Sequence, residues 1–244
     1  MLELKSVGMR FGAVEALLDV DLEVGAGEVA GLMGDNGAGK STLLKIVAGN
    51  FAPTSGRVLW GGADVDLSPL SARELGIEAV YQDLALCDNL SAAANVFLGR
   101  ELSRRLFGIL PVLDHAAMRR RSTELFEELG SDTRADDLVR RMSGGQRQAV
   151  AIARARLSSP RLMLLDEPTA AISVRQIAEV LELIRGLKEQ GVGILLVSHR
   201  MSDVFAVADR IVVLRRGRKV ADKPTAESSP EEVTALITGA IEAA

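Results

Sequence analysis

The chain has a single cysteine, Cys87, and so cannot close an internal disulfide. That points to a reducing compartment. It also lacks an excess of positive charge: 29 Lys and Arg stand against 33 Asp and Glu, a net charge of -4. A basic footprint is the usual mark of a nucleic-acid binder, so no nucleic-acid partner is expected. No uninterrupted apolar run approaches the roughly 20 residues of a membrane span. No basic-then-apolar leader opens the sequence. Any membrane role is therefore expected to come through a partner. Internal repeats and low-complexity segments are missing as well. What is left is 244 residues of ordinary globular composition. That is enough for one large domain, or a core with one inserted subdomain.

Two glycine-rich stretches stand out. Gly34-Asp35-Asn36-Gly37-Ala38-Gly39-Lys40-Ser41 fits the phosphate-cradling pattern G-x-x-x-x-G-K-[ST]. Roughly a hundred residues later comes Ser143-Gly144-Gly145-Gln146, a serine N-cap and two glycines at the start of a helix. Each offers backbone N–H groups at a helix N-terminus, a ready anion site. A nucleotide has one triphosphate, so two such half-sites predict that the chain completes its site with a second copy of itself.

Hydrophobic patterning places these stretches. The first 29 residues read as strands and turns, joined later by 56–60. Val29-Ala30-Gly31-Leu32-Met33 is a short apolar run feeding the first loop, and 41–48 continues as a helix. Residues 77–81 form another strand candidate. From about 84 to 139 the texture is helical, broken once at Gly108 and Pro111. Runs at 162–165 and 193–197 are near-continuously apolar, as in strands covered on both faces. A helical stretch at 175–188 separates them. A strand at 211–214, a turn through Arg215-Arg216-Gly217-Arg218 and a helix at 230–241 close the chain. Alternating strands and helices predict an α/β fold. Gly34, Gln82, Asp166 and His199 each fall at or just past the end of an apolar run. In an open α/β sheet, ligands bind off those carboxyl ends.

The chemistry follows from residue type. The loop glycines let backbone N–H groups approach phosphate with no Cβ in the way. Lys40 reaches the β- and γ-phosphates and the Ser41 hydroxyl ligates Mg²⁺, unless the stretch is a plain glycine turn with an exposed lysine. Asp166 would hold Mg²⁺ through water, and Glu167 would orient and polarise an attacking water. An exposed acidic turn before Pro168 is the plainer alternative. His199 reads either as a hydrogen-bonded structural histidine or as a γ-phosphate contact. Gln82 is either a surface amide or a group touching Mg²⁺ or the water. Phe11 is core or a platform for adenine. Arg119-Arg120-Arg121 and Arg140-Arg141 read as solvated helix faces. His115 reads as surface, and Cys87 has no histidine in register to make it a nucleophile.

With these residues in hand, the chain resembles the nucleotide-binding subunit of ABC transporters over nearly its whole length. Residues 34–41 are similar to that family's Walker A loop and 162–167 to its Walker B strand with catalytic glutamate. Gln82 matches the Q-loop, Met142-Ser143-Gly144-Gly145-Gln146 the signature, His199 the switch histidine and Phe11 the adenine-stacking position. Two positions depart from the pattern. Met142 replaces the usual leucine, a near-isosteric change. Ala170-Ala171-Ile172-Ser173 lacks the D-loop aspartate, so Ser173 cannot supply that carboxylate.

The resemblance implies a P-loop NTPase core with an antiparallel β subdomain, at about 1–82 and 155–244. A helical subdomain carrying the signature is inserted at about 83–154. It implies ATP and Mg²⁺ as cofactors. Nucleotide would be bound by Phe11, by 34–41 with Thr42, by Asp166, and by Ser143, Gly144, Gly145 and Gln146. Gln82, Glu167 and His199 would be catalytic; Ser41, Gln82 and Asp166 would hold the metal. The loops at 34–37, 81–86 and 167–171 look most like the bacterial monosaccharide importers of ribose, xylose and fructose type. Many of those are two fused copies, so this chain would homodimerise. The implied partners are a membrane permease at the cytoplasmic face, with Leu84, Leu86 and Leu90 as contacts or core, and indirectly an extracytoplasmic sugar-binding protein. A soluble ABC-type ATPase is the alternative: in translation it would carry two nucleotide domains, in DNA repair a long coiled-coil insert. A P-loop small-molecule kinase would leave 143–146 without a purpose.

Overall fold

Apolar runs that leave no polar face can be stable only inside a sheet covered on both sides. The computed structural model describes residues 1–106, 109–170 and 172–241. Gly108 and Ala171, both used in the sequence argument, lie outside the described residues. The chain opens with β1 (Leu2–Phe11), β2 (Val14–Val24), β3 (Val29–Met33) and α1 (Lys40–Val47). Then come β4 (Ser55–Trp60), β5 (Ala63–Asp64), α2 (Pro69–Glu74) and β6 (Ile77–Val80). A second stretch holds α3 (Ala92–Val96), β7 (Ser103–Leu106), β8 (Leu110–Leu113), α4 (His115–Glu128) and α5 (Gly144–Arg156). The rest is β9 (Leu162–Asp166), α6 (Val174–Glu189), β10 (Gly193–Val197), α7 (Met201–Val207), β11 (Arg210–Arg215), β12 (Arg218–Pro224) and α8 (Pro230–Thr238).

By its internal contacts the chain divides into two compact units. The first comprises Met1–Gln82, Pro160–Pro168 and Leu187–Ala244, the second Asp83–Ser159 with Thr169–Gly186. Relative to the boundaries read from sequence, this division assigns 155–159 and 169–186 to the helical part.

In the first unit, six strands lie in the order β12-β11-β3-β10-β9-β6. Only the β11–β12 pair is antiparallel. β3 and β10 are buried at every residue, as their unbroken apolar sequences require. Pairing of Val197 with Leu32 and Asp166, and of Val80 with Leu165, brings the carboxyl ends of β3, β10, β9 and β6 level. A separate antiparallel sheet runs β2-β1-β4-β5. Its Leu4, Leu22 and Val58 share one core with Leu32, Leu164 and Leu195 of the parallel sheet and Leu43, Leu44 and Val47 of α1.

The second unit departs from the uniform helical texture expected over 84–139. Among the described residues of this stretch only α3 and α4 are α-helical, and between them β7 and β8 pair as an antiparallel ribbon, Ser103 opposite Leu113 and Arg104 opposite Val112. Pro111 is the reason. A helix interior loses a hydrogen bond at proline, whereas an edge strand tolerates it. α2 was also missed, although Ser68 followed by Pro69 is a helix-start signal; the Ser68 hydroxyl accepts from Ser71 N–H as its cap.

One buried amide organises the segment after Gln82. Asn95 is fully buried on α3. Its Oδ1 accepts from Cys87 N–H at 2.7 Å, and its Nδ2 donates to the carbonyls of Cys87 and Ser91, both at 3.0 Å. Truncation strands the half-buried N–H and carbonyl of Cys87, at up to about 1–3 kcal/mol per unsatisfied group. Asn95→Ala is therefore expected to destabilise the protein by about that amount, read as a lowered urea midpoint. An unchanged midpoint would remove Asn95 as the organiser of this loop.

Candidate active site

The phosphate loop is shaped by backbone that only glycine adopts freely. Gly34, Gly37 and Gly39 all have positive φ, at 153°, 80° and 106°. At the two ends a Cβ would also collide: 2.3 Å from Leu214 O at Gly34, and 2.7 Å from Ala16 O at Gly39. Gly37 faces open space, so there only its conformation requires glycine. Lys40 begins α1 and is buried, with Nζ donating to Gly34 O at 2.7 Å and Asp35 O at 2.9 Å. Two of three ammonium protons thus fasten the loop. Burial lowers the Lys40 pKa, opposed by the carboxylates of Glu167, Asp166 and Asp35.

β9 ends in Asp166, and the next residue turns sharply. Glu167 takes φ 49°, left-handed backbone that a non-glycine residue adopts at a cost of about 1–3 kcal/mol. The turn is held by Glu167 N–H donating to Val197 O at 2.8 Å. It aims the carboxylate so that Oε1 lies 3.0 Å from His199 Nδ1, two residues past β10. Burial, and then the Glu167 charge, push the Asp166 carboxyl above its ordinary range, against the pull of Lys40 and Lys45. Two neighbouring carboxylates, being oxygen ligands, suit a hard cation.

Gln82 is exposed two residues beyond β6. Gly34, Gln82, Asp166 and His199 therefore all fall at the same sheet edge, as the strand pattern predicted. Phe11 is 44% exposed, which sets aside the core alternative. It meets Phe51 edge-on, with ring centroids 5.3 Å apart. Phe51 was not foreseen.

The second glycine stretch is built as expected, with an addition. Ser143 caps α5 reciprocally: its hydroxyl accepts from Gln146 N–H at 3.2 Å, and Gln146 Oε1 accepts from Ser143 N–H at 3.0 Å. Such a box satisfies two donors at the helix start. A Cβ at Gly144 would lie 2.4 Å from Ile172 Cγ2, so this glycine is demanded by internal packing as well as by any ligand. Ser173, where an aspartate was missed, shares a similar exchange with Gln176 ahead of α6, accepting from Gln176 N–H and donating its own N–H to Gln176 Oε1. α5 also holds the segment after Gln82. Arg154 donates to Leu84 O and Ala85 O, and Arg147 to Asp88 Oδ1. Leu84, Leu86 and Leu90 are half-buried, and Cys87 likewise. His115 is exposed, and Arg121 pairs with Glu124 and Glu128 on the solvated side of α4.

Residues 17–170 match the model of the ABC transporter family. The chain belongs to that family. A xylose/arabinose import ATP-binding protein of Sulfolobus acidocaldarius is 45% identical to this ABC chain over 98% of its length and 94% of the relative's. A ribose import ATP-binding protein of Burkholderia cenocepacia is 40% identical over 98% of the chain, which spans only 46% of that protein. Among solved structures, a dimeric ATP-binding cassette in a post-hydrolysis state with ADP and Pi is 28% identical, with a TM-score of 0.76 over 92% of this chain and 99% of that one. A nucleotide-free cassette from an ABC transporter, 23% identical, shares the fold with a TM-score of 0.83 over 98% of the chain and 95% of its own length. The ABC ATPase fold expected from the sequence is therefore the observed one.

The raised Asp166 pKa carries a stability consequence. Where a native carboxyl is raised, charge on it costs folding free energy above the folded-state pKa, and the cost fades as pH falls toward the unfolded value near 3.8. Asp166→Asn is expected to raise the melting temperature of the nucleotide-free protein at pH 7, by an increment that shrinks toward pH 4. A lowered melting temperature at pH 7 would contradict the desolvated charge.

Proposed function

We propose that the chain is the ATP-hydrolysing subunit of a monosaccharide importer, acting as a nucleotide-sandwich dimer on a membrane permease. The observation that carries the hydrolytic reading is the strained Glu167 carboxylate held beside His199 at the same edge as the phosphate loop. Import of sugar rests on the relatives, which are import ATP-binding proteins for xylose/arabinose and for ribose. Dimerisation is supported by the cassette solved as a dimer. No helix among the described residues is long and apolar enough to cross a membrane, consistent with work through a permease.

ATP would bind with its phosphates in the 34–42 loop, where Lys40 offers its remaining proton to the β- and γ-phosphates and Phe11 takes the adenine. Mg²⁺ bound by Ser41, Gln82 and Asp166 would neutralise charge on those phosphates. Glu167 would accept the proton of the attacking water, and His199 would hold the Glu167 carboxylate and contact the γ-phosphate. The 143–146 stretch of a second copy would close over the γ-phosphate, adding fixed donors and excluding water, which strengthens stabilisation of the transferring phosphoryl group. A permease at the cytoplasmic face would engage the segment beginning at Gln82, and an extracytoplasmic sugar-binding protein would deliver substrate to it.

The test is capture of the chain from detergent-solubilised membranes, followed by ATPase measurement on the reconstituted assembly with a panel of monosaccharides. Stimulation by one sugar is the expected result. Full activity of the chain alone, with no integral membrane protein recovered, would favour a soluble ATPase.

A further inference from the structure

β11 and β12 are joined by two residues, Arg216 and Gly217, with φ of 50° and 78° and with Arg215 paired to Arg218 across the turn. Two positive φ values in a two-residue hairpin loop are the signature of a type I′ turn. Such a turn at a sheet end ordinarily leaves its outer backbone groups to water. Here Gly217 is buried and its groups are spent on other elements. Its N–H donates to Ala38 O in the phosphate loop at 3.0 Å, and its carbonyl accepts from Leu18 N–H of β2 at 2.8 Å. The fit is backbone on backbone. A Cβ at Gly217 would stand 2.9 Å from Ala16 O, the same carbonyl that lies against Gly39, while Leu214 O lies against Gly34.

We infer that Gly217 is a positioning residue for the phosphate loop. The reason lies in peptide geometry. A trans peptide is planar, so the C=O of Ala38 and the N–H of Gly39 point in opposite directions. Fixing Ala38 O on Gly217 N–H turns the Gly39 N–H away from β11, toward the inner side of the loop where phosphate is expected. Lys40 fastens the opposite end through Gly34 O and Asp35 O. The loop is thus held at both ends before any nucleotide arrives, which spares the ordering cost on binding. Arg216 touches neither contact, although it too has left-handed backbone.

The inference rests on the ATP-binding reading of the loop, and the experiment separates the two. Gly217→Ala keeps the N–H but introduces a Cβ where φ is positive and Ala16 O is too close. Its dissociation constant and KM for ATP are expected to rise about tenfold or more, with kcat at saturating ATP within about twofold of the parent. Gly62→Ala, at an equally left-handed position of the β4–β5 turn with nothing within 4 Å of its Cβ, is expected to leave all three unchanged. A folded Gly217→Ala protein with parental KM overturns the inference, as does a loss confined to kcat or to melting temperature. If Gly217→Ala does not fold, backbone hydrogen exchange of the unaltered protein decides. Nucleotide should slow exchange in the peptide covering 215–218 together with that covering 38–40, and no slowing at 215–218 overturns the inference. Failure of the unaltered protein to bind ATP at all would instead end the nucleotide reading itself.

Discussion

Glu167→Gln is expected to lower ATP turnover by about 10²–10⁴, equivalent to about 3–5 kcal/mol of barrier, while leaving nucleotide affinity within a few-fold of the parent. The amide matches the carboxylate in size and can still meet His199 Nδ1, which lies 3.0 Å from the Glu167 carboxylate. What it loses is the capacity to accept a proton. The left-handed turn and its bond to Val197 O belong to the backbone and are untouched. On the proposed reading nucleotide is held by the 34–41 loop and Lys40, so binding should survive, and the ATP-bound dimer should accumulate. Parental turnover in the purified variant would end the assignment of Glu167. His199→Ala should also slow turnover, but by less, because it removes the contacts proposed to the carboxylate and the γ-phosphate and leaves the base.

Ser143→Arg is expected to reduce hydrolysis to background for a different reason, by blocking closure of the dimer. Ser143 is exposed at the start of α5, and its side chain is small. An arginine there would occupy the volume that a second copy's γ-phosphate is proposed to fill. The change also removes the cap, worth about 0.5–2 kcal/mol, so Ser143→Ala serves as the control for that loss. ATP affinity of the monomer should be nearly intact in both. In a Glu167→Gln background, sedimentation with ATP should show a dimer for Glu167→Gln alone and monomer when Ser143→Arg is added. Normal hydrolysis by Ser143→Arg would rule out the shared site.

Much of the core was readable because its physics is local. Unbroken apolar runs at 29–33, 162–165 and 193–197 can hardly be anything but strands covered on both faces, and their ends place Gly34, Asp166 and His199 at one edge. The Ser143 cap was likewise written in four consecutive residues. The second unit was harder. A composition rich in alanine, leucine, glutamate and arginine reads as helix, and the break at Gly108 and Pro111 does not by itself specify a ribbon. Arg147 acts on the Asp88 carboxylate and Arg154 on the Leu84 and Ala85 carbonyls, all far away in sequence, and no local pattern announces such partners. Gly217 shows the same limit. It looked like any turn glycine until Ala38 and Leu18 were found against it. Ser173 stood out as a missing acid, whereas its exchange with Gln176 became visible only in three dimensions.

The arginines of α5 make that helix something like a crossbar. One end presents Ser143; along its length, Arg147 and Arg154 grip the strand of chain from Leu84 to Asp88. The capped serine and the gripped chain are thus fastened to one helix. Linkage between two binding events is reciprocal. Were the proposed permease seated on residues 84–88, any change it made in affinity for the second copy's nucleotide would be matched by an equal change that the nucleotide made in affinity for the permease.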